Sequence, residues 1–282
     1  MINKSVLDQI RNGVCAVGYV TVPLQEYAKD PKRPFFKVQG TGFLVRGNIV
    51  VTNRHVIEKI RRDQRETGFP DDQTRFLFVY PIAPGKWNTA FCRFLYVTVF
   101  TGVDIALVEL DPNTSLGPCS PLPLGNLSSL SVTESLAVCG YPYGTSMLAP
   151  GGTLRRFGPV VQQGYLSAVS PYDVSSRIDE LLLDVRTAGG MSGSPVFRPA
   201  DGSVIGIHYG GWEATTSVAI PIDDKTVQQW LAVHDQNRAS QAVKSDTGGA
   251  EKAAEERPDS PAPIAVMQAA VGEEQVSANN GG

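Results

Sequence analysis

A serine flanked by glycines, at residues 190–194, is the first place in this chain where the residue types could do chemistry. Glycines on both sides of Ser192 allow a tight turn whose backbone N–H groups face outward. Two such groups, the N–H groups of Gly190 and Ser192, could hold the oxyanion of a tetrahedral acyl intermediate. The same pattern also occurs in ordinary glycine-rich turns of β proteins, so a chemical role requires partners elsewhere in the chain.

Two further segments supply the partners that a nucleophilic serine needs. His55 follows an apolar strand-like run at residues 49–51, and Asp104 opens a strongly apolar run at residues 105–110. A hydroxyl is a weak nucleophile until a base takes its proton, and imidazole is the usual base near neutral pH. A carboxylate then fixes the imidazole tautomer and stabilises the imidazolium. We predict that His55, Asp104 and Ser192 form a catalytic triad.

These segments resemble those of the trypsin-like (chymotrypsin-fold) serine peptidases, in the same His–Asp–Ser order. The matching residues are Val-Val-Thr-Asn-Arg-His55, Asp104-Ile-Ala-Leu and Gly190-Met-Ser192-Gly-Ser-Pro. The resemblance covers roughly residues 12–234. It implies an all-β fold of two packed six-stranded antiparallel Greek-key barrels with a C-terminal helix. It also implies a serine endopeptidase that cleaves polypeptides through an acyl-enzyme, with the active site between the barrels.

Composition agrees with a chain of many short strands. The 282 residues include 28 Gly and 20 Pro, and 42% of them are hydrophobic. Such a balance favours strands and turns over helices. Strand-like apolar runs recur along the chain. They are Val14–Val22, Phe43–Val45, Ile49–Val51, Arg75–Tyr80, Phe91–Phe100, Ile105–Leu110, Ser135–Cys139, Val160–Val169, Leu181–Val185, Pro195–Phe197, Val204–Tyr209 and Thr215–Pro221.

Helical patterns are confined to the two ends of the predicted peptidase domain, which spans residues 13–234. Residues 1–12 are expected to form an N-terminal extension with a short helix. Residues 222–234 form a clearer helical pattern, with apolar residues recurring on one face. We expect His234 to lie on the surface of this helix, without a functional role.

Residues 235–282 differ in composition from everything before them. They contain no aromatic residue, and their acidic residues outnumber their basic ones. Such a segment buries too little apolar surface to offset the entropy of ordering it, so we expect a disordered acidic tail. One part of it, residues 263–271, is apolar enough to dock on another surface, although a passive tail is the simpler expectation.

Charge and composition also restrict the partners. The whole chain carries a net charge of −3, of which residues 235–282 contribute −4 and the rest of the chain +1. Nucleic acid is not expected as a partner, because phosphate binding requires a concentrated basic surface. No apolar run approaches the length of a membrane span, so no membrane partner is expected. Three histidines without ligand spacing predict no metal site, and no cofactor is expected. The oligomeric state is left open.

The cysteines and the N-terminus favour a cytoplasmic location. The first residues show no apolar signal region followed by a small-residue cleavage site. Cys15, Cys92, Cys119 and Cys139 are widely spaced. Secreted members of the family often brace the histidine loop with a disulfide, and no cysteine lies beside His55 here. Free thiols are typical of a reducing compartment.

The residues around the serine motif bear on the substrate. Six residues before Ser192, where trypsins carry the acid that binds basic P1 side chains, this chain has Arg186. A preference for Lys or Arg at P1 is therefore not expected. Thr187 and His208 resemble the pair with which the glutamyl endopeptidase (V8-like) branch binds a P1 carboxylate. A hydroxyl and an imidazole can hold a carboxylate by charge-assisted hydrogen bonds.

Two other features of this region follow from the same resemblance. The strand around Tyr209 and Gly211 is expected to pair with an extended substrate as an added β-strand. Met191 stands where the family usually has a small polar or acidic residue. Without that acid, the trypsin activation switch, in which a new N-terminus pairs with the acid, cannot operate.

Two other classes of function compete with an endopeptidase. The first is a protease-fold module with an impaired site, which would bind peptides without cleaving them. The second is an esterase or other acyl hydrolase that uses the same triad. The chain lacks the Gly-x-Ser-x-Gly elbow and the Ser–Asp–His order of α/β-hydrolases, which disfavours the second alternative.

Overall fold

Strands dominate the architecture, as the composition predicts. The computed structural model describes residues 2–22, 36–68, 73–83, 86–144, 158–171, 178–212, 215–247 and 264–267. Within these residues the chain forms fourteen strands and three helices.

The first half of the chain forms one sheet of mainly antiparallel strands. Its strands are β1 (Val14–Val20), β2 (Phe36–Arg46), β3 (Ile49–Thr52), β4 (Thr74–Ala83), β5 (Lys86–Cys92), β6 (Phe94–Phe100) and β7 (Ile105–Leu110). A short strand far along the chain, β14 (Ile264–Met267), pairs in parallel with β6. The order across the sheet is β14-β6-β7-β3-β2-β1-β4-β5.

The second half forms a closed antiparallel barrel. Its strands are β8 (Ser135–Gly140), β9 (Val160–Ser170), β10 (Glu180–Leu183), β11 (Pro195–Phe197), β12 (Val204–Trp212) and β13 (Thr216–Pro221). They close in the order β10-β13-β12-β11-β8-β9. The predicted all-β fold is confirmed. The first unit differs from the closed six-stranded barrel that the resemblance implies. Within the described residues it is an open eight-stranded sheet. The reason lies at its edges, where β6 pairs with β14, and β4 pairs with β5.

A shared hydrophobic core packs the two units together. Aromatic side chains such as Phe76 and Phe78 fill the inside of the first sheet. Smaller aliphatic side chains such as Val138 fill the second barrel. A third buried cluster contains both Val51 of β3 and Phe197 of β11. Burying one such side chain contributes about 1.5–3 kcal/mol, so the junction between the units is firmly held.

The first two helices lie beside this junction. The predicted N-terminal helix is present as α1 (Lys4–Gly13). The side chain of Asn3 caps it by accepting a hydrogen bond from the Ser5 N–H at 3.1 Å. Helix α2 (Arg54–Thr67) lies inside the predicted peptidase domain, so the expectation of helices only at its two ends was wrong. The helix begins directly after β3, so its first turn lies at the end of that strand.

The C-terminal helix is longer than its sequence pattern predicts. Helix α3 spans Asp224–Thr247, so the expected end at residue 234 and the disordered tail from residue 235 were wrong for residues 235–247. The reason is docking on the first sheet. The Arg46 guanidinium pairs with Asp235, with Nη1 and Oδ2 2.9 Å apart. Arg238 Nε donates to Glu109 at 2.9 Å.

His234 is buried rather than on the helix surface, which corrects the prediction. It is 1% exposed. Its Nδ1 lies 2.8 Å from the Thr98 hydroxyl, and its ring meets the Tyr96 ring edge to face at 5.3 Å. Burial lowers the pKa of His234. These contacts attach the helix to β6.

The rest of the predicted tail is described only at residues 264–267. These residues form β14, so this part of the apolar segment at 263–271 is a paired strand rather than a passive tail. The remaining tail residues lie outside the described part of the chain. Among the described helices, none is both long and apolar enough to cross a membrane.

The four cysteines are free thiols. Burial raises the pKa of Cys92, Cys119 and Cys139 to about 12. Because the thiolate is the reactive form, these thiols are chemically quiet at neutral pH.

Ending the chain after residue 234 is expected to lower the free energy of unfolding by about 0.4–2 kcal/mol, relative to a chain ending at residue 247. The shorter chain loses both ion pairs that hold α3 to the sheet, and an exposed pair contributes about 0.2–1 kcal/mol. Urea denaturation measures the difference. As a control, Asp235→Asn in the longer chain removes one pair and should cost about half as much. Equal stability of the two chains would contradict the docking of the extended helix.

Candidate active site

His55 and Asp104 meet because their strands are neighbours. Strands β3 and β7 pair with Thr52 opposite Ala106, so the end of β3 lies beside the start of β7. His55 Nδ1 and Asp104 Oδ2 are 2.6 Å apart. This contact leaves Nε2 as the ring nitrogen available to another partner.

The carboxylate of Asp104 is held by the start of helix α2. Its second oxygen accepts a hydrogen bond from the His55 backbone N–H at 3.0 Å. The Asn53 side-chain amide donates to the Asp104 backbone carbonyl at 2.9 Å. The first N–H groups of a helix have no partner within the helix, and the positive end of its dipole favours an anion. The Asp104 carboxylate therefore satisfies the helix end while it orients the imidazole.

The turn that carries Ser192 leaves two N–H groups without an acceptor. Met191 N–H donates to the Ala188 carbonyl at 3.1 Å, and Gly193 N–H donates to the His208 carbonyl at 2.8 Å. Gly190 has a φ of +99°, which the third position of a type II turn requires. In the described part of the chain, the N–H groups of Gly190 and Ser192 donate to no protein group. They are the two donors predicted from the sequence.

Ser192 lies near the histidine helix but shares no hydrogen bond with His55 in the described structure. Its hydroxyl donates to the Tyr209 carbonyl at 3.4 Å, a long contact. Gly40 lies between the two elements. A Cβ built there would come within 2.6 Å of the Val56 side chain and 3.1 Å of the Ser192 carbonyl oxygen. The absence of a side chain at Gly40 thus lets the first turn of α2 approach the serine turn.

A pocket of about 150 Å³ opens beside Ser192. Its walls include both Thr187 and His208, which the sequence predicts as substrate-binding residues, together with Gly211 and the exposed Trp212. The side chain of Arg186 is exposed.

The polar groups of the pocket form a chain of hydrogen bonds. His208 Nε2 lies 3.0 Å from the Thr187 hydroxyl, which lies 3.2 Å from the Ser217 hydroxyl. The Ser217 hydroxyl donates to the Val185 carbonyl. Because a carbonyl only accepts, this last contact sets the direction of the chain: Thr187 donates to Ser217, and His208 Nε2–H donates to Thr187.

His208 is uncharged at neutral pH. The imidazole is 3% exposed. Burial lowers its pKa from an ordinary value of 6.5 to about 4, and an electrostatic interaction with His55 acts in the same direction. The pocket therefore offers neutral hydrogen-bond donors rather than a positive charge.

Tyr209 and Gly211 lie on a part of β12 that is open on one side. Strand β11 pairs with β12 only between Val204 and Ile207. From residue 209 to residue 212, the described residues provide a strand partner on the β13 side alone. The Tyr209 hydroxyl donates to Glu180, and burial, together with this carboxylate, raises the pKa of Tyr209 to about 12.

Three residues of the site were missed by the sequence analysis. Ser217 and Glu180 each end a short polar stretch that leads into an apolar strand run, and nothing in their local pattern indicates a site. Thr41 contacts the serine turn from β2, with its hydroxyl donating to the Gly190 carbonyl at 2.7 Å. Its position between two glycines, Gly40 and Gly42, was a signal for close backbone approach.

The chymotrypsin-like class of β proteins is defined by this arrangement. A closed six-stranded barrel packs on the first sheet, and a His–Asp pair and a serine turn meet at their junction. The family model of the trypsin-like peptidase domain matches residues 40–207. The chain belongs to this family.

Two curated relatives are glutamyl endopeptidases. The chain is 28% identical to that of Staphylococcus epidermidis over 201 residues, which cover 69% of this chain and 61% of the relative. It is 28% identical to that of Staphylococcus aureus over 182 residues, or 61% of this chain and 46% of the relative. The chain thus spans less than two thirds of the length of these proteins.

Two solved structures are similar in fold. Deg5 superimposes with a TM-score of 0.50 at 20% identity, covering 79% of this chain and 90% of Deg5. An inactive serine-to-alanine mutant of Rv3671c from M. tuberculosis superimposes with a TM-score of 0.51 at 17% identity, covering 83% and 92% of the two chains.

Burial of neutral His208 predicts that the protein loses stability as the pH falls from 6.5 to 4. In this window the unfolded chain binds a proton at His208 that the folded chain does not bind, which favours unfolding. The difference between the ordinary value of 6.5 and a pKa of about 4 corresponds to roughly 3 kcal/mol.

Denaturation midpoints measured at several pH values test this prediction. His208→Gln should flatten the fall in stability between pH 6.5 and 4. His234→Gln is the matched control, because it removes the other buried histidine and leaves the His208 contribution in place. An unchanged pH dependence in His208→Gln would contradict the prediction.

Proposed function

We propose that this protein is a serine endopeptidase in which His55, Asp104 and Ser192 act as the triad. The observation that carries the proposal is the 2.6 Å contact between His55 Nδ1 and Asp104 Oδ2. It orients the imidazole so that Nε2 can serve the hydroxyl across the junction. The N–H groups of Gly190 and Ser192, which donate to no protein group within the described residues, support the same proposal.

The proposed reaction has two halves. Ser192 Oγ turns from the Tyr209 carbonyl and attacks the scissile carbonyl carbon, while His55 Nε2 takes the hydroxyl proton. The oxyanion receives hydrogen bonds from the N–H groups of Gly190 and Ser192. The C–N bond breaks, and the imidazolium gives its proton to the leaving amine. A water molecule, deprotonated by His55, then attacks the acyl carbonyl carbon, the ester C–O bond breaks, and the imidazolium returns its proton to Ser192 Oγ. No cofactor is needed for these steps.

The lack of a hydrogen bond between Ser192 and His55 in the described structure is compatible with these reaction steps. In the absence of substrate, catalytic hydrogen bonds are often long and tighten only in the enzyme–substrate complex. Rotation about the Cα–Cβ bond of Ser192 moves the hydroxyl between staggered positions at low cost.

The substrate is proposed to bind as an added strand along β12. The open backbone groups of residues 209–212 can pair with an extended peptide next to Ser192. Tyr209 and Gly211 would supply this pairing, which favours a polypeptide over a small ester.

For the P1 side chain we propose a preference for Glu or Asp. Thr187 and His208 lie in the pocket beside Ser192, and the curated relatives are glutamyl endopeptidases. Because His208 is uncharged, the carboxylate would be held by the Thr187 hydroxyl and the imidazole N–H rather than by an ion pair. Hydrogen bonds to a charged group contribute about 1.5–3 kcal/mol each.

A cytoplasmic location is part of the proposal. The four free thiols, three of them with a pKa of about 12, support a protein that functions without disulfides.

Labelling with a fluorophosphonate probe is expected to modify Ser192 in the folded protein. Ser192→Ala should abolish the adduct, and His55→Ala should slow labelling by at least about 10³-fold, because the base is lost. Mass spectrometry of the labelled peptide identifies the site. Ser194→Ala is the matched control, because the neighbouring Ser194 hydroxyl is buried against the Met191 sulfur at 3.9 Å. The probe should still label Ser192 in this variant. Folded protein without an adduct would instead favour a peptide-binding module.

Peptides that differ only in their P1 residue are expected to be cleaved in the order Glu, Gln, Lys. The kcat/KM for Glu should exceed that for Lys by about 10–100-fold, which corresponds to 1.5–3 kcal/mol. The advantage of Glu over Gln should be smaller, because the pocket carries no positive charge.

Thr187→Val separates the pocket from the triad. It should lower kcat/KM for the Glu peptide and leave a Leu peptide largely unaffected. Equal rates for Glu and Lys, or an equal loss for Glu and Leu in Thr187→Val, would contradict an acidic P1 preference while leaving the endopeptidase proposal intact.

A further inference from the structure

One buried residue of the first sheet holds the serine turn of the second barrel at two points. Thr41, in β2, is fully buried. Its backbone N–H donates to the Ser192 carbonyl at 2.8 Å. Its hydroxyl donates to the Gly190 carbonyl at 2.7 Å. These are the carbonyl groups of the same two residues whose N–H groups are left unpaired.

The hydroxyl of Thr41 is itself fixed by its neighbours. Tyr141 N–H donates to Thr41 Oγ1 at 3.1 Å, so the hydroxyl proton is directed to the Gly190 carbonyl. The Thr52 hydroxyl donates to the Thr41 carbonyl at 2.7 Å. A buried polar group with all its partners in place has one well-defined geometry, because leaving any of them unpaired is costly.

The contacts of Thr41 set the planes of the peptide groups in the turn. The peptide group after Gly190 is held at its carbonyl by Thr41 and at its N–H, that of Met191, by the Ala188 carbonyl. The peptide group after Ser192 is held at its carbonyl by Thr41 and at the Gly193 N–H by the His208 carbonyl. Because peptide groups are planar, the Ser192 N–H between them has little freedom to turn away.

Within the described residues, no charged group hydrogen-bonds this turn. Met191 is fully buried in the apolar core of the second barrel, so its side chain supplies packing and no ion pair. The polar contacts that fix the turn from the other unit are those of Thr41.

We propose that Thr41 is a positioning residue that anchors the carbonyl groups of Gly190 and Ser192 across the junction of the two units and so holds the oxyanion-binding N–H of Ser192 in place. The inference rests on the proposed function, and it explains how the site is kept in a reactive geometry without an acidic residue at position 191. Thr41 acts through the backbone of the turn and touches no reacting atom.

The test compares Thr41→Val, which removes the hydroxyl at nearly constant shape, with Thr41→Ser, which keeps it. In Thr41→Val we expect the rate of fluorophosphonate labelling and the kcat for a peptide substrate to fall by about 10–100-fold, with KM nearly unchanged. Thr41→Ser should restore both rates to within a few fold of the parent. Hydrogen exchange at residues 188–194 should be faster in Thr41→Val.

Thr98→Val is the matched control, because it removes another buried hydroxyl of the first sheet, one that contacts His234. It should lower stability without changing kcat. If Thr41→Val does not fold, Thr41→Ala removes the same hydroxyl without adding a methyl group.

Each outcome decides the question. Parental kcat in folded Thr41→Val or Thr41→Ala, or an equal loss of kcat in Thr98→Val, overturns the positioning role and leaves the peptidase proposal standing. If the parent itself is not labelled, the proposed function fails, and the role of Thr41 fails with it.

Discussion

The close approach of strand β2 to the serine turn is the constraint on which the rest of this structure depends. His55 and Asp104 belong to the first sheet, and Ser192 belongs to the second barrel. Two contacts set their relative position. Because Gly40 has no side chain, the Val56 side chain and the Ser192 carbonyl can both approach it closely. The Thr41 N–H also donates a hydrogen bond to the Ser192 carbonyl at 2.8 Å. The shared hydrophobic core around Val51 and Phe197 holds the two units together. The close contacts at Gly40 and Thr41 determine how the two units are aligned with each other.

Each half of the site is organised locally before the junction brings the halves together. The pairing of β3 with β7 places His55 beside Asp104, and the free N–H groups at the start of α2 hold the carboxylate. In the other half, hydrogen bonds to the Ala188 and His208 carbonyls occupy the N–H groups of Met191 and Gly193, and within the described residues those of Gly190 and Ser192 are left open. Both halves therefore rely on fixed backbone dipoles, which need little reorganisation when charge develops.

The sequence predicted the features that depend on local pattern, and it failed where distant contacts decide. The strand runs, the triad candidates and the N-terminal helix follow from periodicity and motif. The extension of α3 beyond residue 234 depends on Arg46, nearly 200 residues away in the chain, and the burial of His234 depends on Thr98. No local pattern carries this information. The role of Thr41 was visible only as a small polar residue between glycines, whose partners come from the other unit.

The neutral state of His208 constrains what kind of selectivity the pocket can have. A buried imidazole with a pKa of about 4 carries no charge at neutral pH, and the exposed Arg186 is surrounded by water, which weakens any attraction to a P1 carboxylate. In the free protein the donors of His208 and Thr187 are committed along the chain that ends at the Val185 carbonyl. A carboxylate bound by both donors, as proposed, must draw the His208 N–H away from Thr187 and the Thr187 hydroxyl away from Ser217, whose own hydroxyl remains satisfied by Val185. The free-energy cost at Ser217 is small, because its oxygen loses only a hydrogen bond that it accepts. Leaving a buried donor without a partner costs more. The proposed P1 preference would therefore depend on the direction of hydrogen bonds rather than on charge.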